Sequence, residues 1–330
     1  MADFPIDAVV TWVDGDDPVH RAKRMKFESQ DQILNDEVGG EIRYKSIGEI
    51  KFCIASLLRF APFIRKIFIV TDGQDPRLEP FLDRNFPERS TQIEIVDHAV
   101  IYRGYEHFLP IFAARSIETV LWRIPGLSEH YIYLNDDFLL VAPTGPEDYF
   151  TPEGKAICYA HRFSIPLARF IHAVKPRKKG FKISGFKDSQ VNAAVTAGNS
   201  KYFLYIGHIP LAVRKSTQER FYTAHPEVME RNMSQKFREP FQFNPQELFY
   251  ILGEKDGECT VVPRKGKDLY LKPKKKKGYM ARKLNAFDRS DAPFCCFNSL
   301  AYASEDDRKL ATDWIRQRLS IDTDGEPCEG

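Results

Sequence analysis

Two rhythms of apolar and polar residues alternate through the first 137 positions. Short apolar runs that stop on turn residues read as buried strands. They are Ile6 to Val13 closed by Asp14-Gly15, Lys66 to Thr71 closed by Asp72-Gly73, Ile93 to Val96, and Tyr131 to Leu134. Between them, apolar positions recur at helical spacing. Glu49 to Phe60 carries Ile50, Ile54, Leu57 and Leu58 and stops before Pro62; Pro76 to Phe86 carries Leu78, Phe81 and Leu82; Phe112 to Trp122 carries Ile117, Val120 and Leu121. Strands alternating with helices predict an α/β fold with a largely parallel sheet and right-handed crossovers. No Gly-x-Gly-x-x-Gly follows the first strand, so the usual dinucleotide fingerprint is missing.

Beyond residue 150 the rhythm weakens. Residues 150 to 200, rich in Lys, Gly and Ser, read as loops and short elements. Residues 211 to 252 read as helical, with a start at Pro226 and breaks at Pro240 and Pro245. The Lys-rich stretch 272 to 283 reads as a solvated loop, Phe294 to Phe297 as a short apolar run, Asp306 to Leu319 as a closing helix, and 322 to 330 as a frayed tail.

One strand end carries unusual chemistry. Tyr131 to Leu134 runs into Asn135-Asp136-Asp137, an amide and two adjacent carboxylates. Open α/β sheets bind ligands at their carboxyl edge, and acidic pairs there suit a hard divalent cation, Mg²⁺ or Mn²⁺. A polar turn capping a following helix fits the same residues. Thr11-Trp12-Val13-Asp14-Gly15 follows the first strand, where such sheets commonly meet a nucleotide. Trp12 offers an aromatic face, Asp14 a polar contact and Gly15 room for backbone approach. A Gly-Asp turn beside a core tryptophan is the plainer alternative.

Three further positions qualify. His208, between Gly207 and Ile209-Pro210, carries an imidazole able to take a proton near neutral pH, although a lone turn histidine is usually structural. Arg238, in Lys236-Phe237-Arg238, offers a planar fork for phosphate oxygens or sits at a helix end. Asn298, closing Cys296-Phe297-Asn298, can give an oxygen to a metal or a hydrogen bond to a sugar, or make a turn.

Composition narrows the partners little. Lys and Arg outnumber Asp and Glu by 48 to 46, a net charge of +2 that gives no general footprint for nucleic acid. Basic residues do cluster at Lys272 and Lys274 to Lys277, and at Arg177 to Lys179, which leaves open contact with an anionic membrane surface or polymer. No apolar segment is long enough to span a bilayer, and the polar N-terminus does not read as a secretory signal. Six cysteines without CxxC pairing read as reduced thiols of a cytosolic protein.

Taken in order, these motifs resemble the Stealth family of bacterial capsule and exopolysaccharide hexose-1-phosphate transferases, related to the catalytic subunit of GlcNAc-1-phosphotransferase. Its first block appears as Ile6 to Gly15. The second runs from Gly48-Glu49-Ile50 through Phe60 to Ile67, Ile69 to Gln74, Leu109 to Phe112 and Arg123 to His130, ending at Asn135-Asp136-Asp137. The third carries His208-Ile209-Pro210 and Phe237-Arg238, and the fourth Cys296-Phe297-Asn298. Several polar positions depart from the family pattern: Lys45-Ser46-Ile47, Ala55, Ala113-Ala114, Gln242 and Ser299.

The resemblance implies a Rossmann-like, GT-A-like, mostly parallel sheet flanked by helices, with a helical segment in the C-terminal half. Residues 1–150 would bind the nucleotide-sugar, 151–320 would complete the same catalytic core on the acceptor side, and 321–330 would form a flexible tail. It implies transfer of a sugar-1-phosphate from a nucleotide-sugar, a UDP-hexose or UDP-N-acetylhexosamine, to a glycan hydroxyl in surface polysaccharide synthesis. Asp136, Asp137, His208 and Arg238 would be catalytic. Thr11, Trp12, Asp14, Gly15, Arg43 and Asn135 would bind substrate; Asp136, Asp137 and Asn298 would hold Mg²⁺ or Mn²⁺. The implied setting is cytoplasmic, extending to the periphery of the inner membrane beside capsule-assembly proteins, with no nucleic acid. A metal-dependent glycosyltransferase that moves the sugar alone, and a non-catalytic subunit of an assembly complex, are the alternatives.

Overall fold

The computed structural model describes residues 4–28, 47–174 and 185–322. Its centre is a five-stranded sheet in the order β3-β2-β1-β4-β8. The strands are β1 (Ile6–Thr11), β2 (Ile64–Thr71), β3 (Gln92–Asp97), β4 (His130–Asn135) and β8 (Leu211–Arg214). The first four pair in parallel, with Val9 opposite both Phe68 and Tyr133, and β8 lies antiparallel against β4. Ala8 to Val10, Ile67 to Val70 and Ile132 are fully buried, so the central strands are covered on both faces.

The chain builds outward from β1 through β2 to β3, then crosses back and lays β4 on the other side of β1. That reversal creates a topological switch point, and the crevice lies between the carboxyl ends of β1 and β4. Thr11 and Asn135 face each other there in register. The crossover helix Glu49–Phe60 buries Ile50, Cys53, Ile54 and Leu57. It starts after Gly48, whose φ of 81° is reached without strain only by glycine. At the opposite end of the sheet, buried Asp7 accepts two hydrogen bonds from Arg65 (2.9 and 2.7 Å) and one from the Ser128 amide (2.8 Å).

Two smaller sheets complete the molecule. One joins β5 (Phe138–Leu140), β11 (Phe294–Phe297) and β10 (Asp268–Leu271) in the order β10-β11-β5. The other joins β6 (Ala156–Ser164), β7 (Tyr202–Ile206) and β9 (Cys259–Val262) in the order β7-β6-β9. One continuous hydrophobic core runs from Ile6 to Ile321 through both halves of the chain.

The C-terminal half differs from the sequence expectation in four places. Residues 150 to 200 are not mainly loop: they hold β6 and the helices Ile165–Val174 and Phe186–Thr196. The inner half of β6 is buried but its outer half is exposed, so no single period runs through it. Residues 211 to 252 begin with a strand, β8, before the helices Lys215–Ala224, Pro226–Met233 and Pro245–Asp256. Lys272 and Lys274 to Lys277 do lie exposed outside regular structure, but Arg282 and Lys283 belong to the helix Tyr279–Phe287, whose Met280, Leu284 and Phe287 are buried. Residues 321 and 322, placed in the tail, are pinned: Ile321 is buried, and Asp322 and Asn85 exchange hydrogen bonds of 2.7 and 2.9 Å. Residues 323–330 lie outside the described residues.

Among the described residues, no helix is long and apolar enough to cross a membrane. Cys53, Cys158, Cys259, Cys295 and Cys296 are buried free thiols; Cys328 lies outside the described residues.

Candidate active site

The switch-point crevice is floored by a polar knot. The Tyr133 hydroxyl donates to Asn135 Oδ1 at 2.6 Å, Thr11 Oγ1 donates to the same oxygen at 3.2 Å, and the two hydroxyls lie 3.0 Å apart. Alternation along β4 aims Tyr133 and Asn135 to one face, and the parallel register brings Thr11 beside them. The loop after β1 is clamped to the loop after β2 by Gln74. Its Oε1 accepts from the Asp14 amide at 2.9 Å, while its Nε2 donates to the Asp14 carbonyl and to Asp17, each at 2.9 Å. Asp14 turns its carboxylate back onto the Asp16 amide at 3.0 Å, and Gly15 lies within this clamped turn. Trp12 is only 8% exposed and packs in the main core, which corrects the expectation of an open aromatic face. Arg43 lies outside the described residues.

Asp136 and Asp137 form the turn between β4 and β5, not the cap of a helix. The turn is held from the other sheet. The Phe297 amide donates to the Asp137 carbonyl at 3.1 Å, and the Cys296 thiol and Asn298 Nδ2 each reach Asp137 Oδ2 at 3.4 Å. Ser299 Oγ donates to Asn298 Oδ1 at 3.1 Å. Asn298 therefore orients Asp137 through its nitrogen, and its oxygen, which accepts from Ser299, keeps a second lone pair.

Burial drives the Asp136 carboxyl well above its ordinary pKa, and the charges of Glu49 and Asp137 push it further. Burial also raises Asp137, against the opposing hydrogen bonds from Cys296 and Asn298. Among the described residues, no three His, Cys, Asp or Glu side chains converge in metal-binding geometry. Two crowded carboxylates nevertheless fit a cation that keeps several ligands for water and substrate, as Mg²⁺ does with diphosphates. Such an ion would hold both groups ionised where burial and mutual repulsion oppose it.

His208 packs against the residue that follows the acidic turn, and the charge of Arg238 reaches it. His208 stacks on Phe186 (centroids 4.8 Å apart), leans against Tyr270 (5.3 Å) and meets the edge of Phe138 (6.0 Å), the residue following the acidic turn. Burial raises the Tyr270 hydroxyl pKa to about 12, and Cys296 and Asp137 nearby add to the rise. Burial, then the charges of Arg264, Arg238 and Lys272, pulls the His208 imidazole down to about 4. Arg238 also acts on buried Glu118. Burial raises that carboxyl, while the Tyr133 hydrogen bond, Arg238, Arg115 and Gln246 oppose the rise. Tyr133 thus links Asn135 to Glu118, and Glu118 connects electrostatically to Arg238 and so to His208.

The fold brings Asp136, Asp137 and Asn298 into one cluster, and Thr11 and Asn135 into another. His208 and Arg238 lie alongside, while Trp12 stays in the core. The sequence reading missed Glu49, Gln74, Glu118, Tyr133, Tyr270 and Arg264 as participants. Glu49 and Glu118 look like ordinary helix acids in a linear sequence; Tyr133 hides inside an apolar run. Two departures from the family pattern have structural roles. Gln242 donates to Ser116 Oγ and to the Asn232 carbonyl, each at 2.9 Å, and Ser299 fixes the Asn298 amide.

Stealth protein conserved region 1 matches residues 4–32, and conserved region 2 matches residues 43–158. Receptor polysaccharide phosphotransferase WefC of Streptococcus oralis is 30% identical over 258 residues, covering 72% of this chain and 75% of that protein. The chain belongs to the Stealth family. This Stealth chain is also 33% identical over 258 residues to exopolysaccharide phosphotransferase SCO6021 of Streptomyces coelicolor, covering 75% of itself but only 43% of that protein's length. Capsular polysaccharide phosphotransferase WcwK of Streptococcus pneumoniae is 30% identical, again with 75% of that protein covered. Among solved structures, the bifunctional glycosyltransferase WbbM aligns at a TM-score of 0.48 with 12% identity, over 96% of this chain and 52% of that one. Mouse xyloside xylosyltransferase 1 aligns at 0.43 with 13% identity, over 89% and 97%.

Proposed function

We propose that this Stealth chain moves a sugar-1-phosphate from a nucleotide-sugar, a UDP-hexose or UDP-N-acetylhexosamine, onto a glycan hydroxyl in surface polysaccharide synthesis. The observation that carries the reading is the half-buried acidic turn Asp136-Asp137 at the switch point, with His208 packed against Phe138 directly after it and the charge of Arg238 acting on His208. A diphosphate bound at this turn would need a cation, and Arg238 would supply it. Asp136 and Asp137 would hold Mg²⁺ or Mn²⁺, which neutralises diphosphate charge when bound. Thr11, Asp14, Gly15 and Asn135 line the nucleotide side. The setting we propose is the cytoplasmic face of the cell envelope, beside capsule-assembly proteins.

The acceptor oxygen attacks the phosphorus that bears the sugar. Its proton passes to an imidazole nitrogen of His208; a new oxygen–phosphorus bond forms, the bond to the bridging oxygen breaks, and a nucleoside monophosphate leaves. Arg238 faces the phosphoryl oxygens as charge grows there. The charge of Arg238 acts on Glu118, and Cys296 and Asn298 hold Asp137. A neutral His208 is in the form that accepts a proton.

The test is to incubate the protein with nucleotide-sugars, Mg²⁺ or Mn²⁺ and acceptor glycan. Release of UMP with a phosphodiester signal in the product supports the reading. Release of UDP with no phosphorus in the product would show transfer of the sugar alone. Absence of turnover with every donor, alongside retained glycan binding, would show a non-catalytic subunit.

A further inference from the structure

A line of aromatic rings leaves the site beside His208. Tyr270 and Phe186 flank the imidazole, Phe186 meets Tyr205 edge-on (6.4 Å, 71°), and Tyr205 meets Phe163 edge-on (5.7 Å, 80°). The rings come from β10, the helix Phe186–Thr196, β7 and β6, so folding assembles a surface that no sequence segment contains. The ends of the line are open: Tyr270 is 37% exposed and Phe163 is 44% exposed. Cations follow it. Lys187 Nζ lies 5.6 Å from the Phe163 ring and 5.4 Å from Tyr205, Arg264 lies 5.4 Å from Tyr205, and Lys272 acts on His208. One acid, Asp268, accepts from Arg264 at 3.2 Å and offsets part of that charge.

We propose that this strip from Tyr270 to Phe163, edged by Lys187, Arg264 and Lys272, is the seat of an anionic acceptor glycan, a chain already carrying phosphodiesters. The inference rests on the transferase reading above and names its acceptor class. Apolar faces of sugar rings pack on exposed aromatics, and cations set between the rings meet the phosphates. A strip continuous with His208 delivers the terminal hydroxyl to the group that takes its proton. Each turnover adds one phosphodiester, so the product fits the same strip better than an uncharged primer does.

The experiment is a donor-free titration of the full chain with a fluorescent oligosaccharide of phosphodiester-linked hexoses, beside a phosphate-free hexose chain and an oligothymidylate. The phosphorylated chain should bind at least about tenfold more tightly than either control, and less tightly at high salt. Phe163→Ala and Lys187→Ala should each weaken it several-fold, and together about tenfold or more, with unchanged circular dichroism. Equal binding of charged and neutral chains, equal binding of the oligothymidylate, or wild-type affinity in the double variant would overturn the proposal. Because no donor is present, the two readings fail separately. UMP release with wild-type affinity in the double variant sinks the strip alone; UDP release with lost affinity sinks the phosphotransferase alone.

Discussion

The state of His208 can be measured directly. Moving its imidazole from 6.5 to about 4 is a shift of about 2.5 units, or roughly 3 kcal/mol in favour of the neutral ring. Burial between Phe186, Tyr270 and Phe138 is the largest cause, so no single cation accounts for most of it. Arg264→Gln removes the largest charge contribution and should raise the pKa by a few tenths of a unit to about one unit. The assay is an NMR titration of selectively labelled histidine, with His208→Asn identifying the resonance. Wild type should titrate near pH 4, and Arg264→Gln should move the midpoint upward without reaching 6.5. Adding a nucleoside diphosphate should also raise it, because the ligand's negative charge offsets the surrounding cations. A free-protein midpoint at 6.5 or above would refute the burial argument, and one unmoved by Arg264→Gln would refute the charge argument.

Three other outcomes follow from buried charge. His98 is fully buried, and that burial lowers its pKa to about 4, so between pH 6.5 and 4 the unfolded chain binds more protons than the folded one. Its contribution is complete above pH 6.5 and falls as pH drops; by pH 5 about 2 kcal/mol should be lost, and His98→Gln should lack that loss in urea titrations at pH 5 and 7.5. Asp136 has the opposite sign: its raised carboxyl favours the fold at low pH and opposes it once ionised. Asp136→Asn should therefore stabilise the metal-free protein at pH 7.5 by about 1 to 2 kcal/mol while abolishing nucleotide release, measured by urea midpoint and by coupled assay. Asp7→Ala leaves the half-exposed Arg65 and the Ser128 amide without their shared acceptor and should cost about 1 to 3 kcal/mol in denaturant unfolding.

The parts readable from sequence are those where one physical signal dominates. β1, β2, β4 and β11 are buried nearly throughout, and their apolar runs announce them. β8 is four residues long and passes straight into the helix Lys215–Ala224, so no turn residue separates two different periods. Within the site, Asp14, Asn135, Asp136 and Asp137 were visible because polar residues abruptly end apolar runs. Glu49 and Glu118 were not, since their roles arise only when distant helices meet the carboxyl edge of the sheet. Trp12 shows the reverse error: a position beside the ligand edge does not ensure that an aromatic ring points outward.

Asp136-Asp137 belongs to neither sheet alone. The backbone leaves the main sheet through β4, makes the acidic turn and enters the smaller sheet as β5, which pairs with β11, itself next to β10 and Tyr270. The turn is a strap buckling two layers together. Under the proposed transfer, a donor at the turn and an acceptor at His208 would bear on the same smaller sheet.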